Sequence, residues 1–346
     1  MQRFGIVAKR RENKLFEIQA YLKEGETHRS NNENHKAIQQ YEKALDIARG
    51  QGYRKEETKA YIGLGNVHRS DFHTQMAIEN YDKALEIAIE DEYKLQETKA
   101  YLGLGDAYKS NNSNQTAIQC YEKALEIAVK GEYELEETQA YLGLGEVHRS
   151  DNENQTAIDC DTRALNIACE RGYKLEEAEA WLGLGRAHRS DNQKGTAIEF
   201  YGTAQRIAEE QGSKPQETKA YLGLAETYRS ANQIQAAIKY YEKALEITRE
   251  QSYYLWETEA YLGLGQAYVF DNQNSTAICH HIEGLEIAKQ QGYRRQEAQA
   301  YLWLEEAYGS DNQNEKANMC YEKALEIAKE QRYKLLENEA YLKLGE

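Results

Sequence analysis

Cys279, His280 and His281 are three consecutive residues of the types that ligate zinc or a softer transition metal. Neighbours on a helix point about 100° apart, so three in a row do not converge on one ion, and no metal is expected. The five cysteines (Cys120, Cys160, Cys169, Cys279 and Cys320) are odd in number and contain no CxxC pair, so neither a disulfide framework nor a zinc finger is indicated. Reduced thiols in the cytoplasm fit them. Histidines 28, 68, 148 and 188 share one position of a repeating pattern with Tyr108, Tyr228, Tyr268 and Tyr308, so they read as packing or hydrogen-bonding residues before they read as bases. Carboxylates such as Glu122, Glu126 and Glu137 recur in unit after unit, whereas a general acid–base pair is unique and held in one cleft. Gly103 and Gly105 fall inside a helical pattern and form no phosphate loop. No nucleophile stands beside a base. The sequence therefore points away from an enzyme and toward a chain without cofactor.

The elements that carry these residues follow from an internal period. Rows starting at Glu17, Glu57, Glu97, Glu137, Glu177, Glu217, Glu257 and Glu297 superimpose at a step of 40 residues without a gap, giving eight units. Tyr21, Tyr61, Tyr101, Tyr141, Trp181, Tyr221, Tyr261 and Tyr301 fill one column, and Ala37, Ala77, Ala117 and their successors another. Tyr101, Leu104 and Tyr108, then Ala117, Tyr121, Ala124 and Leu125, follow steps of three and four on either side of a polar break, which predicts two amphipathic helices per unit. In unit four these are helix A, Glu134 to His148, and helix B, Asn154 to Glu170. The break Ser110–Asn114 is rich in N-capping residue types, and Gly52, Gly172, Gly212 and Gly292 mark turns between units. Pro215 is the one proline, and no alternating run reads as a strand. One hairpin cannot bury its own apolar stripe, so it must stack on its neighbours.

The pattern Tyr101-x-x-Leu104-Gly105-x-x-Tyr108, then Ala117-x-x-x-Tyr121-x-x-Ala124, resembles the tetratricopeptide signature, with Tyr in place of Trp and Phe. The resemblance covers nearly the whole chain. It implies an all-α fold, a right-handed α-α superhelix (a TPR solenoid) of eight helical hairpins with partial terminal helices. The boundaries are 17–56, 57–96, 97–136, 137–176, 177–216, 217–256, 257–296 and 297–336, with a partial helix of a preceding repeat over 1–16 and a partial terminal helix over 337–346. The 40-residue unit with YEKALEIA looks most like the repeats of Pins/LGN-type G-protein-signalling modulators and related large scaffolds. Those carry an Asn two residues before the packing Gly, where this chain has Gly63, Gly103, Gly143, Gly183, Gly223 and Gly263. Repeat sequence runs to Glu346, and G-protein binding is not carried over. Glu24 replaces the packing Leu, Ala225 and Glu305 the packing Gly, and Asp161 and His281 the helix-B Tyr, so units one, four, seven and eight are expected to pack less well.

Two recurrent features call for a reason. Two glycines per helix A cost about 1 kcal/mol each relative to Ala. The second admits a close approach of helix B. The first, as at Gly103, Gly143 and Gly183, either leaves backbone bare to a ligand or tightens the curvature. The other feature is a basic column, Arg29, Arg69, Lys109, Arg149, Arg189 and Arg229, which the resemblance places late in helix A on the inner wall. Seven residues earlier come Leu22, Ile62, Leu102, Leu142, Leu182, Leu222 and Leu262, and between them Glu26, Asn66, Asp106, Glu146, Arg186, Glu226 and Gln266. Apolar, acidic or amide, and basic rails along one groove suit a peptide with apolar anchors and acidic groups. The alternative is that Glu26–Arg29, Asp106–Lys109, Glu146–Arg149 and Glu226–Arg229 are merely i,i+3 pairs. Binding is favoured because Arg69 and Arg189 keep the column where Asn66 and Arg186 offer no carboxylate.

A net charge of −15 opposes tight binding to nucleic acid or an anionic membrane, and no apolar stretch reaches the roughly 20 residues that span a bilayer. The expected function is a cytoplasmic protein–protein interaction scaffold that binds a peptide segment in its groove. Two other readings are open. One is a structural spacer or self-assembling array joined through uncapped ends. The other is a ligand sensor or enzyme with a pocket inside the superhelix, for which Arg186 and Trp303 are the one-unit exceptions. The sequence starts inside a helix B and stops ten residues into a helix A, which reads as a segment of a longer array.

Overall fold

The computed structural model describes residues 2–71, 73–331 and 336–338. Helix follows helix throughout, and no strand occurs among the described residues. The chain divides into two compact units, Met1–Glu176 and Glu177–Glu346. The first holds α1 (Gln2–Ser30), α2 (Asn34–Gln51), α3 (Arg54–Ser70), α4 (Thr74–Glu90), α5 (Lys94–Ser110), α6 (Asn114–Gly131), α7 (Glu134–Ser150) and α8 (Asn154–Arg171). The second holds α9 (Lys174–Ser190, its first residues in the first unit), α10 (Lys194–Gln211), α11 (Lys214–Ser230), α12 (Ile234–Gln251), α13 (Tyr254–Phe270), α14 (Asn274–Gln291), α15 (Arg294–Ser310) and α16 (Asn314–Gln331). Odd-numbered helices are the A members and even-numbered ones the B members, so the all-α fold of successive hairpins expected from the period is what the chain adopts.

Three details differ from the expectation. Each helix A from the second repeat on starts three residues ahead of the repeat boundaries drawn from the sequence, at Arg54, Lys94 and Glu134 for example, the last being the start expected for helix A of unit four. The partial helix expected over 1–16 is not separate: α1 runs unbroken from Gln2 to Ser30, because Asn13 and Glu12 replace the Tyr53 and left-handed Gly52 that end a helix B elsewhere. The break between A and B uses no capping side chain. Where an N-cap is defined, it makes no side-chain hydrogen bond, and the asparagines work as left-handed turn residues instead, with Asn112 at φ 55° and Asn152 at φ 61°. The turns between repeats take glycine in the left-handed region at Gly52, Gly172, Gly212 and Gly292, as expected, but Glu92, Glu132 and Ser252 occupy that region too. The terminal helix expected over 337–346 lies outside the described residues beyond Glu337 and Asn338; Leu336 is buried with Ala298, Leu302 and Ala324.

The core of each unit is built on the helix-B tyrosines, and it explains both glycines. Tyr121 is 1% exposed, and a Cβ on Gly105 of its own repeat would lie 2.7 Å from its ring while one on Gly143 of the next would lie 2.4 Å away. Tyr81 is held in the same way by Gly65 (2.6 Å) and Gly103 (2.3 Å), and Tyr201 by Gly185 (2.9 Å) and Gly223 (2.4 Å). One aromatic ring thus locks a hairpin to its successor. Gly103 and Gly143 are covered by tyrosine, and Gly183 is buried as well, so these positions leave no backbone bare to a ligand. The expectation failed because each column was read within its own repeat, whereas the tyrosine reaches across two.

The departures from the pattern are compensated locally. His281 is fully buried against Gly265, and Trp303, standing where earlier repeats have the first glycine, brings its ring to 5.9 Å from the imidazole and refills the volume that His gives up relative to Tyr. Asp161 is 1% exposed and accepts a hydrogen bond from Arg149 Nη1 at 2.6 Å. Ala225 is buried in the core.

Candidate functional site

Within each unit, consecutive A helices touch: α1 with α3, α3 with α5 and α5 with α7 in the first, α11 with α13 and α13 with α15 in the second. No two B helices do so among the described residues. Closer spacing on the A side curves each unit toward it, so the A faces form an inner wall.

The basic column lies on that wall, and most of it is already paired. Arg69 Nη1 is 3.4 Å from Asp106 Oδ2, Lys109 Nζ is 2.5 Å from Glu146 Oε2, and Arg189 bonds Glu226. Each of these acids sits 37 residues on. Successive A helices are offset by three residues, which brings the cation of one repeat level with the acid of the next. Arg69 and Arg189, expected to stand unpaired, therefore take their carboxylates across the repeat boundary, and the argument for binding that rested on them falls. Arg29 pairs back to Glu26 (2.5 Å) because Asn66 offers no charge, and Arg149 pairs with Asp161 (2.6 Å). Arg186 is engaged by Glu179 at 3.4 Å. Arg229 forms no ion pair among the described residues and lies against the Tyr241 hydroxyl.

The helix-B tyrosines close the network from below. Tyr41 donates to Glu26 (2.9 Å), Tyr81 to the side-chain oxygen of Asn66 (2.7 Å) and Tyr121 to Asp106 (2.6 Å). Burial alone would raise the Asp106 pKa, but Arg69, Lys109 and the Tyr121 hydroxyl together hold it below the ordinary carboxylate range. Desolvation pushes the Tyr81 hydroxyl up to about 12. Asp106 drives Arg69 upward against the opposing effect of its burial, and the guanidinium stays charged.

The apolar rail is mostly core. Leu182 is fully buried, Leu102 is 9% exposed, and Leu222 and Leu262 are buried in the second unit, whereas Leu142 is half-buried. The buried ones give a partner no side chain to grip, which corrects the anchor role expected of Leu102 and Leu182. The stacking of each hairpin on the next draws them inward.

Three of the four histidines hydrogen-bond across the A–B turn, His28 to Glu33 (2.6 Å), His148 to Glu153 (2.7 Å) and His188 to Gln193 (2.8 Å), whereas the Nδ1 of His68 is buried without a partner. No group of three metal-ligating side chains is gathered among the described residues. Sequence reasoning missed a second cationic column, in which Lys43, Lys123 and Lys243 of helix B lie over Tyr21, Tyr101 and Tyr221 of helix A at 5.5, 5.3 and 4.9 Å from the ring centroids. The recurring separation of 22 residues was the available signal. A shallow cleft of about 520 Å³ opens beside Tyr101, Lys123 and Tyr133, but its Lys94 and Lys130 are paired with Glu97 and Glu126 at 2.8 and 2.6 Å. No helix of the described residues is long and apolar enough to cross a membrane.

Models described as "Tetratricopeptide repeat" match residues 16–90, 56–130, 96–170 and 216–290, and a second model of that description matches 178–211. No curated protein matches the sequence. Among solved structures, a Rap protein complexed with Competence and Sporulation Factor is similar at a TM-score of 0.64 or better, namely 0.66, with 15% identity over 91% of this chain and 98% of that one. The Rap conjugation gene regulator of the plasmid pLS20, in complex with the Phr* peptide, gives 0.61 and 14% identity over 90% and 96%. A signal transduction ATPase with numerous domains and a tetratricopeptide repeat sensor, from Pyrococcus horikoshii, gives 0.64 and 18% over 88% of this chain and 46% of the other, so the chain spans less than half of that protein's length.

Proposed function

We propose that this chain, which belongs to the tetratricopeptide repeat family, is a protein-interaction scaffold that receives a peptide segment of its partner along the inner wall of the A helices. The observation that carries the reading is the wall itself. Its charged side chains are fixed by contacts between successive repeats yet stay partly exposed, 34% for Arg69 and 32% for Asp106, so an ordered polar surface is open to a partner. Ordering these side chains in the free protein lowers the entropy cost of binding. The Rap proteins similar in fold are seen in complex with Competence and Sporulation Factor and with the Phr* peptide, which supports a peptide as the occupant here.

The reading is non-enzymatic. The five cysteines are free thiols, consistent with a reducing cytoplasm. Likeness to the Pins/LGN-type modulators adds no partner, because the glycines at their asparagine position, such as Gly103, are buried under tyrosine. The test is retention of linear segments: lysate digested to peptides is passed over the immobilised chain, and retained peptides are sequenced. Reproducible retention of a restricted set supports the scaffold. Failure to retain any, together with a sedimentation coefficient that grows with concentration, would favour the self-assembling array.

A further inference from the structure

We propose that the partner segment is read by two opposite charges on repeats six and seven, a carboxylate of the segment docking on Arg229 and a cation of the segment on Glu259. The inference rests on the peptide-scaffold reading and adds the chemistry of the ligand.

The pairing register of the inner wall fails at Arg29, Arg149 and Arg229; Arg29 and Arg149 find another carboxylate, and Arg229 finds none among the described residues. By that register the partner of Arg229 is Gln266, which carries no charge and is buried. Glu226, three residues before Arg229 on its own helix, bonds Arg189 instead. The Nε of Arg229, like that of Arg69, is buried without a hydrogen-bond partner, and the Arg229 side chain meets the Tyr241 hydroxyl but no carboxylate among the described residues. A guanidinium held in this way lacks the charge-assisted bond it is built to make, and an incoming carboxylate supplies it. The other five cations of the column are committed to carboxylates of the protein, so an acidic group has one place on the column to dock.

Glu259 is the complementary exception. In its column Lys219 pairs with Glu179 at 2.9 Å, whereas Glu259 is exposed and makes no hydrogen bond or ion pair among the described residues. Arg186 and Arg295 act on it through space without bonding it, so its exposed carboxylate is open to a cation of the segment.

The two sites share a surface. Residues 219, 222, 226 and 229 of α11, and 259, 262, 266 and 269 of α13, lie on one stripe of each helix at steps of three and four, and α11 touches α13. By that register Arg229 is level with Gln266, seven residues beyond Glu259, or about 10 Å along the helix. Neighbouring axes are about 9 Å apart, which makes the diagonal about 14 Å, a span that an extended segment covers in about four residues. Leu262 and Gln266 between them are buried and neutral. Phe270, 54% exposed beside Val269, offers an apolar contact next to the carboxylate. A segment carrying both signs also avoids the repulsion that a purely acidic one meets on a chain of net charge −15.

The experiment selects a random 12-residue peptide library with free C-termini on the immobilised full chain, then measures enriched peptides by fluorescence anisotropy against wild type, R229Q, R229K, E259Q and E259K, each checked by circular dichroism. The expected result is enrichment of peptides with one acid and one base four to six residues apart in a fixed order. Affinity should fall about tenfold or more in R229Q and in E259Q and recover partly in R229K, and E259K should prefer peptides whose base is replaced by an acid. Comparing free-acid with amidated peptides separates a terminal carboxylate from a side-chain one. Enriched peptides whose affinity is indifferent to Arg229 and Glu259 overturn the inference and leave the scaffold standing. Absence of enrichment on wild type overturns both.

Discussion

Replacing Gly143 by Ala sets two effects of opposite sign against each other. Helix propensity favours Ala by about 1 kcal/mol in a helix interior. The added Cβ, however, would lie 2.4 Å from Cε1 of Tyr121, and that ring has little room to retreat: it is packed so closely on Gly105 as well that a Cβ there would come to 2.7 Å, and its hydroxyl is bonded to Asp106 at 2.6 Å. Overpacking a close-packed site costs about 1–3 kcal/mol, and swinging the tyrosine out gives up about as much in lost burial. We expect a net loss of about 1–2 kcal/mol from the balance of these terms. Gly202, in α10 with nothing within 4 Å of its would-be Cβ, is the internal control, and its change to Ala should gain about 0.5–1 kcal/mol. Urea unfolding followed by far-UV circular dichroism reads both, with the slope checked because a repeat array need not unfold in two states. Combining Gly143→Ala with Tyr121→Leu should remove most of the loss. A Gly143→Ala protein as stabilised as Gly202→Ala would refute the tyrosine clamp.

Other substitutions probe the remaining contacts. Glu132→Gly and Ser252→Gly, at φ 55° and 56°, should each raise stability by about 1 kcal/mol in the same unfolding assay, by relieving left-handed backbone. Asp106→Ala should cost about 2 kcal/mol, less than the 3–5 kcal/mol of a fully buried pair because its side chain is 32% exposed. Arg149→Glu should be worse, since it would set a second carboxylate against the buried Asp161, and loss of helicity on thermal melting would register it. Burial holds the His281 pKa down at about 3 against the ordinary 6.5. Its contribution is complete above pH 6.5. Below that the unfolded chain binds a proton that the folded chain refuses, so wild type should lose about 1.4 kcal/mol per pH unit down to about pH 3 relative to His281→Phe, read from urea midpoints at pH 7 and pH 5.

The hairpins could be read from the sequence because both helices repeat their apolar steps at a fixed 40-residue interval, as Tyr101 and Ala117 show, and a column of that kind has one helical solution. Contacts between repeats were not readable in the same way. The Arg69–Asp106 pair depends on a three-residue offset between neighbouring A helices, which no pattern within one helix reveals. The first glycines looked like openings because the ring that fills them belongs to the preceding repeat. Asn112 looked like a capping residue because capping and left-handed turns favour the same side chain, and only the backbone angle separates them. Arg229 and Glu259 were part of columns whose other members are satisfied, so their difference emerged only once every partner was in place.

Hydrogen exchange of the full chain with and without a retained peptide tests the central claim, that a partner segment is received on the inner wall. The account predicts slowed exchange on peptide binding in the A helices Lys214–Ser230 and Tyr254–Phe270, with the B helices Ile234–Gln251 and Asn274–Gln291 unchanged. Slowing confined to the B helices would place the partner on the opposite side of the repeats and contradict it.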